Sequence, residues 1–301
     1  MRKIKKMCWQ DKLFVTIVYL ILAIIIVAMI YPLIFVVSAS ISDPKMVSAG
    51  EVVLFPKGIT FLGYEMALKN KSLLIGYANS IFYTFVGTFL NMLATIPCAY
   101  ALSRREMKGR GIVLGILMFT MYFSGGTVPT FLNVFQLGLL DTRTILLIFN
   151  LINVSNLIIA RTFFAAVPLE LTEAAFIDGA NDGHCFFMVV LPVSKAIMGV
   201  LSLYYAVNHW NTYFTAMLFL DDETKFPLQL VLRKILIQAQ SAAEILDGAS
   251  LEEITRAMKA ADAASALKYS TIVLAAVPML ILYPFVQKYF EKGILIGSVK
   301  G

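Results

Sequence analysis

The chain has 301 residues, 59% of them hydrophobic and 15% charged, with mean hydropathy +0.80 and a formal net charge of +6. Soluble domains hold about 45–50% apolar and about 25% charged residues, so composition excludes an ordinary soluble globule and makes this an integral membrane protein. The three cysteines (Cys8, Cys98, Cys185) and two histidines (His184, His209) are scattered, which argues against a disulfide framework or a metal centre. In so apolar a chain the positive charge marks loop topology rather than a nucleic-acid partner.

The basic leader MRKIKKMCWQDK precedes an uncharged run over 13–42. A signal peptide carries an apolar region of only about 7–15 residues, so the run predicts a retained first span. Five further uncharged runs follow, at 72–103, 111–140, 144–160, 196–220 and 269–287. They reach or approach the roughly 20 residues a helix needs to cross a bilayer. The fourth is short, but Arg143 and Arg161 at its ends can snorkel to the interface. The weak alternation of a β-barrel is missing. The expected fold is an all-α integral membrane domain over 1–301 with six transmembrane helices.

Six spans place both termini on one side. If that side is the cytoplasm, the inner segments hold 14 basic against 7 acidic residues, net +7, and the outer segments 11 against 12, net −1. SRREMKGR (103–110), with four basic residues in eight, is the sharpest such signal. The positive-inside rule therefore predicts cytoplasmic N- and C-termini. Residues 161–195 then face the cytoplasm, and 221–268 form a long extracytoplasmic loop. The uncharged spans lack the ionisable groups by which proton- or sodium-coupled carriers usually move their coupling ion. An external energy source or a passive pore remains.

Polar features interrupt the later spans. SGGTVPT (124–130) breaks the third, as a packing kink or as a cavity wall. Asn150, Asn153 and Asn156, three apart, would share a broad face of the fourth helix, either as interhelical glue or as cavity lining. NHWNTYF (208–214) offers Asn208, His209, Trp210, Asn211 and Tyr213. Aromatics that stack on sugar rings beside amides that bind hydroxyls suit a carbohydrate cavity, and an aromatic belt at the interface is the alternative.

Residues 168–192 are short and polar. Pro168 suits a helix start, Gly179 a stop, Asp182 the cap of a second helix, and Pro192 an end at Leu191. Glu173, Asp178 and Asp182 are acidic, and no base lies between 162 and 194. A lipid-lying helix favours Lys and Arg. Small Ala174 and Ala175, charged Glu173 and apolar Phe186 and Phe187 instead suit docking into a groove on another protein. The loop after the fifth span reads as helical in FPLQLVLRKILIQ and SLEEITRAMKAADAASALKY, as a docking platform or a cap over the pore.

The pattern Glu173-Ala174-Ala175, then Gly179-Ala180, then Phe186 and Leu191-Pro192, resembles the conserved loop of permease subunits in binding-protein-dependent ABC importers. RTFFAAVPLELTEAAFIDGAND is similar to the carbohydrate type. SGGTVPTFLNVFQLGLLDTR, YAVNHWNTYFTAMLFL, FPLQLVLRKILIQ and KYFEKGILIGSVKG are similar to the complex-oligosaccharide subgroup, so the likeness runs through most of the chain. Ala196 departs from it, standing where the family often has a second proline, and Gly183, His184 and Cys185 replace its usual basic and aromatic residues.

The resemblance implies a type I ABC importer permease and a bacterial plasma-membrane location. It further implies a cytoplasmic coupling helix whose contacts with an ABC ATPase dimer would involve Glu173, Ala174, Ala175, Asp178, Gly179, Ala180, Phe186 and Pro192. Gly293 to Gly301 would reach toward the same interface. A second, homologous permease would complete the pore, and an extracellular solute-binding protein would deliver the oligosaccharide. No catalytic residue is expected; the phosphate-loop pattern G-x-x-x-x-G-K-S/T is missing, and ATP and Mg would sit on the ATPase. The alternatives are a related importer for a non-sugar solute and an ion-independent facilitator.

Overall fold

A computed structural model of the chain describes residues 9–244 and 251–298, with side chains described over 9–238 and 260–284. Most of the leader, the middle of the 221–268 loop and the tail from Gly293 lie outside the residues whose side chains are described. The described elements are helical. In order they are α1 Trp9–Ser40, α2 Pro44–Ser48, α3 Leu62–Lys69, α4 Lys71–Ser103, α5 Arg110–Tyr122, α6 Thr127–Gln136, α7 Arg143–Ile148, α8 Val154–Ala165 and α9 Leu169–Ile177. Then come α10 Asp182–His184, a π-helical turn Cys185–Val190, α11 Leu191–Val193, α12 Lys195–Trp210, α13 Phe214–Phe219, a 3₁₀ turn Glu223–Lys225, α14 Leu228–Glu244 and α15 Leu251–Ser298.

Two compact units emerge: residues 1–70 with 234–275, and 71–233 with 276–301. In the first, α1 is apolar along nearly its whole length, and side chains such as Leu20, Ile24 and Val27 are exposed. Such a surface is compatible with lipid and not with water. Only its end, Ser38–Ser40, is buried. There Ser38 Oγ donates to Leu54 O (2.6 Å), Ser40 Oγ meets Tyr64 OH (2.9 Å), and Ser270 Oγ of α15 donates to Ser40 O (3.2 Å).

The second unit is organised on α4, with α8 and α12 packed along it. Ile96, Ala99 and Leu102 of α4 meet Leu157, Ala160 and Phe164 of α8, Ile197 and Leu201 of α12, and Cys185, Phe186 and Val190 of the π turn. Lipid tails are as apolar as leucine, so close packing between small residues and polar hydrogen bonds hold such helices together. Ala99 and Ala160, both fully buried, allow the close approach.

Trp9–Ser40, Lys71–Ser103 and Ala260–Pro284 are individually long and apolar enough to cross a bilayer. Among the described residues three bent pairs raise the number to at most six: α5/α6 at 114°, α8/α9 at 68°, and 182–193 with α12 at 82°. SGGTVPT is a true break: helix stops at Tyr122 and restarts at Thr127, with Pro129 in the first turn of α6, where a missing N–H costs nothing. α15 is a single 48-residue helix, so SLEEITRAMKAADAASALKY continues into the last apolar run rather than forming a separate loop helix.

Residues 144–160 do not form one helix. α7 ends at Ile148 and α8 begins at Val154, with Asn150 in the left-handed region at φ +56°. The expectation that Asn150, Asn153 and Asn156 share a helix face is therefore wrong, because asparagine competes with the backbone for its hydrogen bonds. Asn153 Oδ1 accepts from Asn156 N (3.1 Å) and caps α8.

Candidate functional site

The first region is the polar segment 168–192. Pro168 is the N-cap of α9, and Glu170 lies in its first turn, where the helix dipole favours a carboxylate. At the other end Ala180 N donates to Ala175 O (2.9 Å) and Gly179 N to Phe176 O (3.0 Å). With Gly179 at φ +82° this is a Schellman motif, a fixed bend rather than a loose hinge. Glu173, Ala174 and Asp178 are exposed, whereas Ala175 and Ala180 are half-buried.

Three sequence expectations fail here. Asn181, not Asp182, caps the second helix, its Oδ1 accepting from His184 N at 2.7 Å. Helix continues from the π turn through Leu191 and Pro192 and breaks at Ser194 instead. Phe186 is 6% exposed inside the chain's own core, with its ring 4.8 Å from Tyr100. It is therefore not a free anchor; Ile177, Met188 and Phe187 are the most exposed of the large apolar side chains in the segment. The π turn produces this split by pointing Cys185, Phe186 and Val190 inward.

Sequence reading also missed Arg104, which it counted only as charge. Its guanidinium lies 5.7 Å from the Phe176 ring of α9 and 5.9 Å from Tyr100 of α4, and it pairs with Glu106 at 3.5 Å. α9 is thus tied to α4 through a half-buried cation–π contact as well as through the buried core.

The second region is polar and lies between α4, the α7–α8 break and α12. Asn91 Nδ2 donates to the carbonyls of Leu151 (2.7 Å) and Asn150 (3.3 Å). These are carbonyls that the broken helix leaves unpaired, and at membrane depth they need a protein donor. This fixes the amide, so its Oδ1 accepts from His209 Nε2 at 2.6 Å. Gly87 gives the imidazole its place: a methyl there would lie 2.8 Å from His209 Cδ2, and closer still to Nε2. Tyr205 OH meets Thr95 Oγ1 (2.7 Å) and accepts from Asn153 N (3.3 Å).

The predicted cavity residues divide accordingly. Asn150, Asn153, Asn208 and His209 line a cleft of about 40 Å³, room for a water and not for a sugar. Asn208, Asn211 and Tyr213 line an open groove of about 410 Å³. Trp210 is buried edge-on against Tyr77 at 5.9 Å, and Asn156 lies in the first turn of α8; neither lines either space.

A third polar cluster was not foreseen. Asp141, at φ +51°, accepts from Asp222 N (3.0 Å) and Asp221 N (3.2 Å) and pairs with Lys225 Nζ at 2.8 Å. Lys225 also pairs with Asp222 at 3.3 Å. The hydrogen bond from Lys225, then that from the Asp222 backbone, lowers the Asp141 pKa. Backbone and side-chain bonds from Thr224 lower that of Asp222. The bond to Asp141 raises that of Lys225. Asn79 Nδ2 and Tyr83 OH bind the carbonyls of Thr224 and Lys225, each at 2.8 Å, and fasten the cluster to α4. Among the described residues no group of three His, Cys, Asp or Glu could hold a metal.

Lipid-length helices, a fixed two-helix elbow and a polar groove define a helical membrane transport subunit. No protein-family model matches the chain. It is 39% identical over 300 residues to the polygalacturonan/rhamnogalacturonan transport system permease protein YtcP of Bacillus subtilis, covering 97% of this chain and 100% of that one. It is 39% identical over 272 residues to protein LplC of the same organism, at 90% of each. Among solved structures it is similar to a bacterial ABC transporter involved in the import of the acidic polysaccharide alginate, with TM-score 0.84, 36% identity, and coverage of 95% of this chain and 99% of that one. The chain belongs to the permease subunits of ABC sugar importers.

Proposed function

We propose that the chain is the membrane subunit of an ATP-driven importer for acidic oligosaccharides, such as the uronate-bearing fragments of plant or algal polysaccharides. The observation that carries this is full-length similarity to a permease named for polygalacturonan and rhamnogalacturonan transport, joined by likeness to an alginate importer. A passive facilitator and a non-sugar importer are not favoured by these relatives.

The charge distribution supports a cytoplasmic 168–192 segment and cytoplasmic termini in the bacterial plasma membrane. There α9 serves as the coupling helix. Glu173 offers its exposed charge to a basic residue of the ATPase dimer, and Ala174 admits a close surface. ATP and Mg belong to that partner. Force on α9 reaches the spans because Cys185, Phe186 and Val190 are locked into the core of α4, α8 and α12, and packed interiors transmit displacement. A homologous permease completes the pore, and a solute-binding protein delivers the sugar from outside.

Deletion of the chain from its host tests this. Uptake of trigalacturonate should disappear and return with the gene, only in cells able to make ATP. Undiminished ATP-dependent uptake in the deletion strain, with every acidic oligosaccharide tried, would overturn the reading.

A further inference from the structure

Tyr213 lines the groove beside α12, and against its ring stands a cation that the aromatic–amide motif did not foretell. The Arg233 guanidinium of α14 lies over the Tyr213 ring, 5.8 Å from its centroid. Its Nη1 rests against the Met217 sulfur, a weak acceptor that leaves most of the five guanidinium donors available. Among the described residues no carboxylate is within ion-pair distance of it, and Asp141 and Asp222 are held by Lys225. Arg233 belongs to the stretch 221–268 that charge places outside the bilayer, on the side from which a sugar would arrive, so its guanidinium meets water or protein rather than acyl chains. Tyr213, 45% exposed, supplies a stacking face, and Asn208 and Asn211 supply exposed amides.

A neutral sugar needs the ring and the amides but not the cation. A uronate adds a planar carboxylate, which the arginine fork matches with two parallel hydrogen bonds. We propose that Arg233, laid over Tyr213, is the carboxylate-recognising element of the groove and selects uronate-bearing over neutral oligosaccharides during translocation. This rests on the sugar-import function proposed above and adds to it the residue that senses charge.

The test uses the complete importer in its host, comparing wild type, Arg233→Gln and Arg233→Lys at equal membrane levels. The probes are trigalacturonate and its fully methyl-esterified form, which has the same chain without charge. Loss of a charged hydrogen-bond partner predicts an acid-to-ester uptake ratio about tenfold lower in Arg233→Gln. Arg233→Lys should recover part of the ratio, since it restores charge without the fork. If wild type takes up only the acid, the acid rate alone is read, with loss in Gln and partial return in Lys expected. An unchanged ratio, whether both rates fall together or neither falls, overturns the role of Arg233 while leaving the import function standing. A wild type that takes up the ester and not the acid removes the acidic-substrate reading and this inference with it.

Discussion

Asn91 of α4 and His209 of α12 are joined by a 2.6 Å hydrogen bond, and the same asparagine amide closes the carbonyls of Asn150 and Leu151. One side chain thus ties together two long helices and the ends of a broken one. Each buried polar group left unpaired costs about 1–3 kcal/mol. Asn91→Leu is expected to lower the thermal midpoint of the purified complex by about 2–4 °C for each kcal/mol lost. Gly87→Ala should act in the same direction by displacing the His209 ring. A midpoint unmoved by either variant would show that the network does not hold the helices.

Phe186 and Phe187 are adjacent and face opposite environments, at 6% and 62% exposed. Phe186→Ala should cost about 3–5 kcal/mol through cavity formation and reduce the amount of assembled permease. Phe187→Ala should leave the isolated permease near wild-type stability and weaken ATPase capture in a pull-down. Equal effects on stability would contradict the packing.

Gly179 has open space around its Cα, with nothing within 4 Å of a built Cβ. Gly179→Ala therefore tests backbone conformation alone, and the left-handed cost of about 1–2 kcal/mol should appear without steric damage. Coupling efficiency, measured as sugar imported per ATP hydrolysed, is expected to fall while expression holds. Glu173→Lys should instead abolish ATPase capture with the permease still in the membrane; intact capture would exclude Glu173 from the interface.

The Asp141–Lys225–Asp222 cluster sets a pH dependence. Both carboxylates have folded pKa values below their ordinary value of 3.8. Their contribution is therefore present above that value and is lost as pH falls through the lower folded values. Lys225 has a raised folded pKa, so its share is full below its ordinary 10.5 and fades only as pH rises beyond that. Thermal stability should change little from this cluster between pH 5 and pH 9 and drop in strong acid. Asp141→Asn should remove most of that acid sensitivity; an unaltered acid limb would assign it to other groups.

Much of this was legible in the residues. Uncharged length marked the apolar stretches, though 111–140 and 144–160 each hold a break, and Pro168 and Gly179 marked the ends of α9, because burial in lipid and left-handed backbone leave direct marks on composition. The asparagines were misread because spacing assumes an unbroken helix, whereas an amide can end one and cap the next. Phe186 was misassigned for a related reason: the wider π turn shifts which neighbours point inward, and no local propensity announces it. Arg104, Arg233 and Asp141 were visible only as charges, since Phe176, Tyr213 and Lys225 are brought to them by the fold from other elements.

The π turn of Cys185–Val190 also limits how permeases of this kind can exchange parts. A π turn holds one residue more than the α-helical turn it replaces, and each residue advances a helix by about 100°. Everything on one side of it is therefore rotated relative to an uninterrupted helix. If the elbow from an otherwise similar permease with a regular helix at this point were grafted onto α12, the residue at the place of Glu173 would point in a different direction although every surface residue was retained. Matching such a graft would require restoring one residue of length, so compatibility between elbow and membrane domain is a matter of phase as well as of surface chemistry.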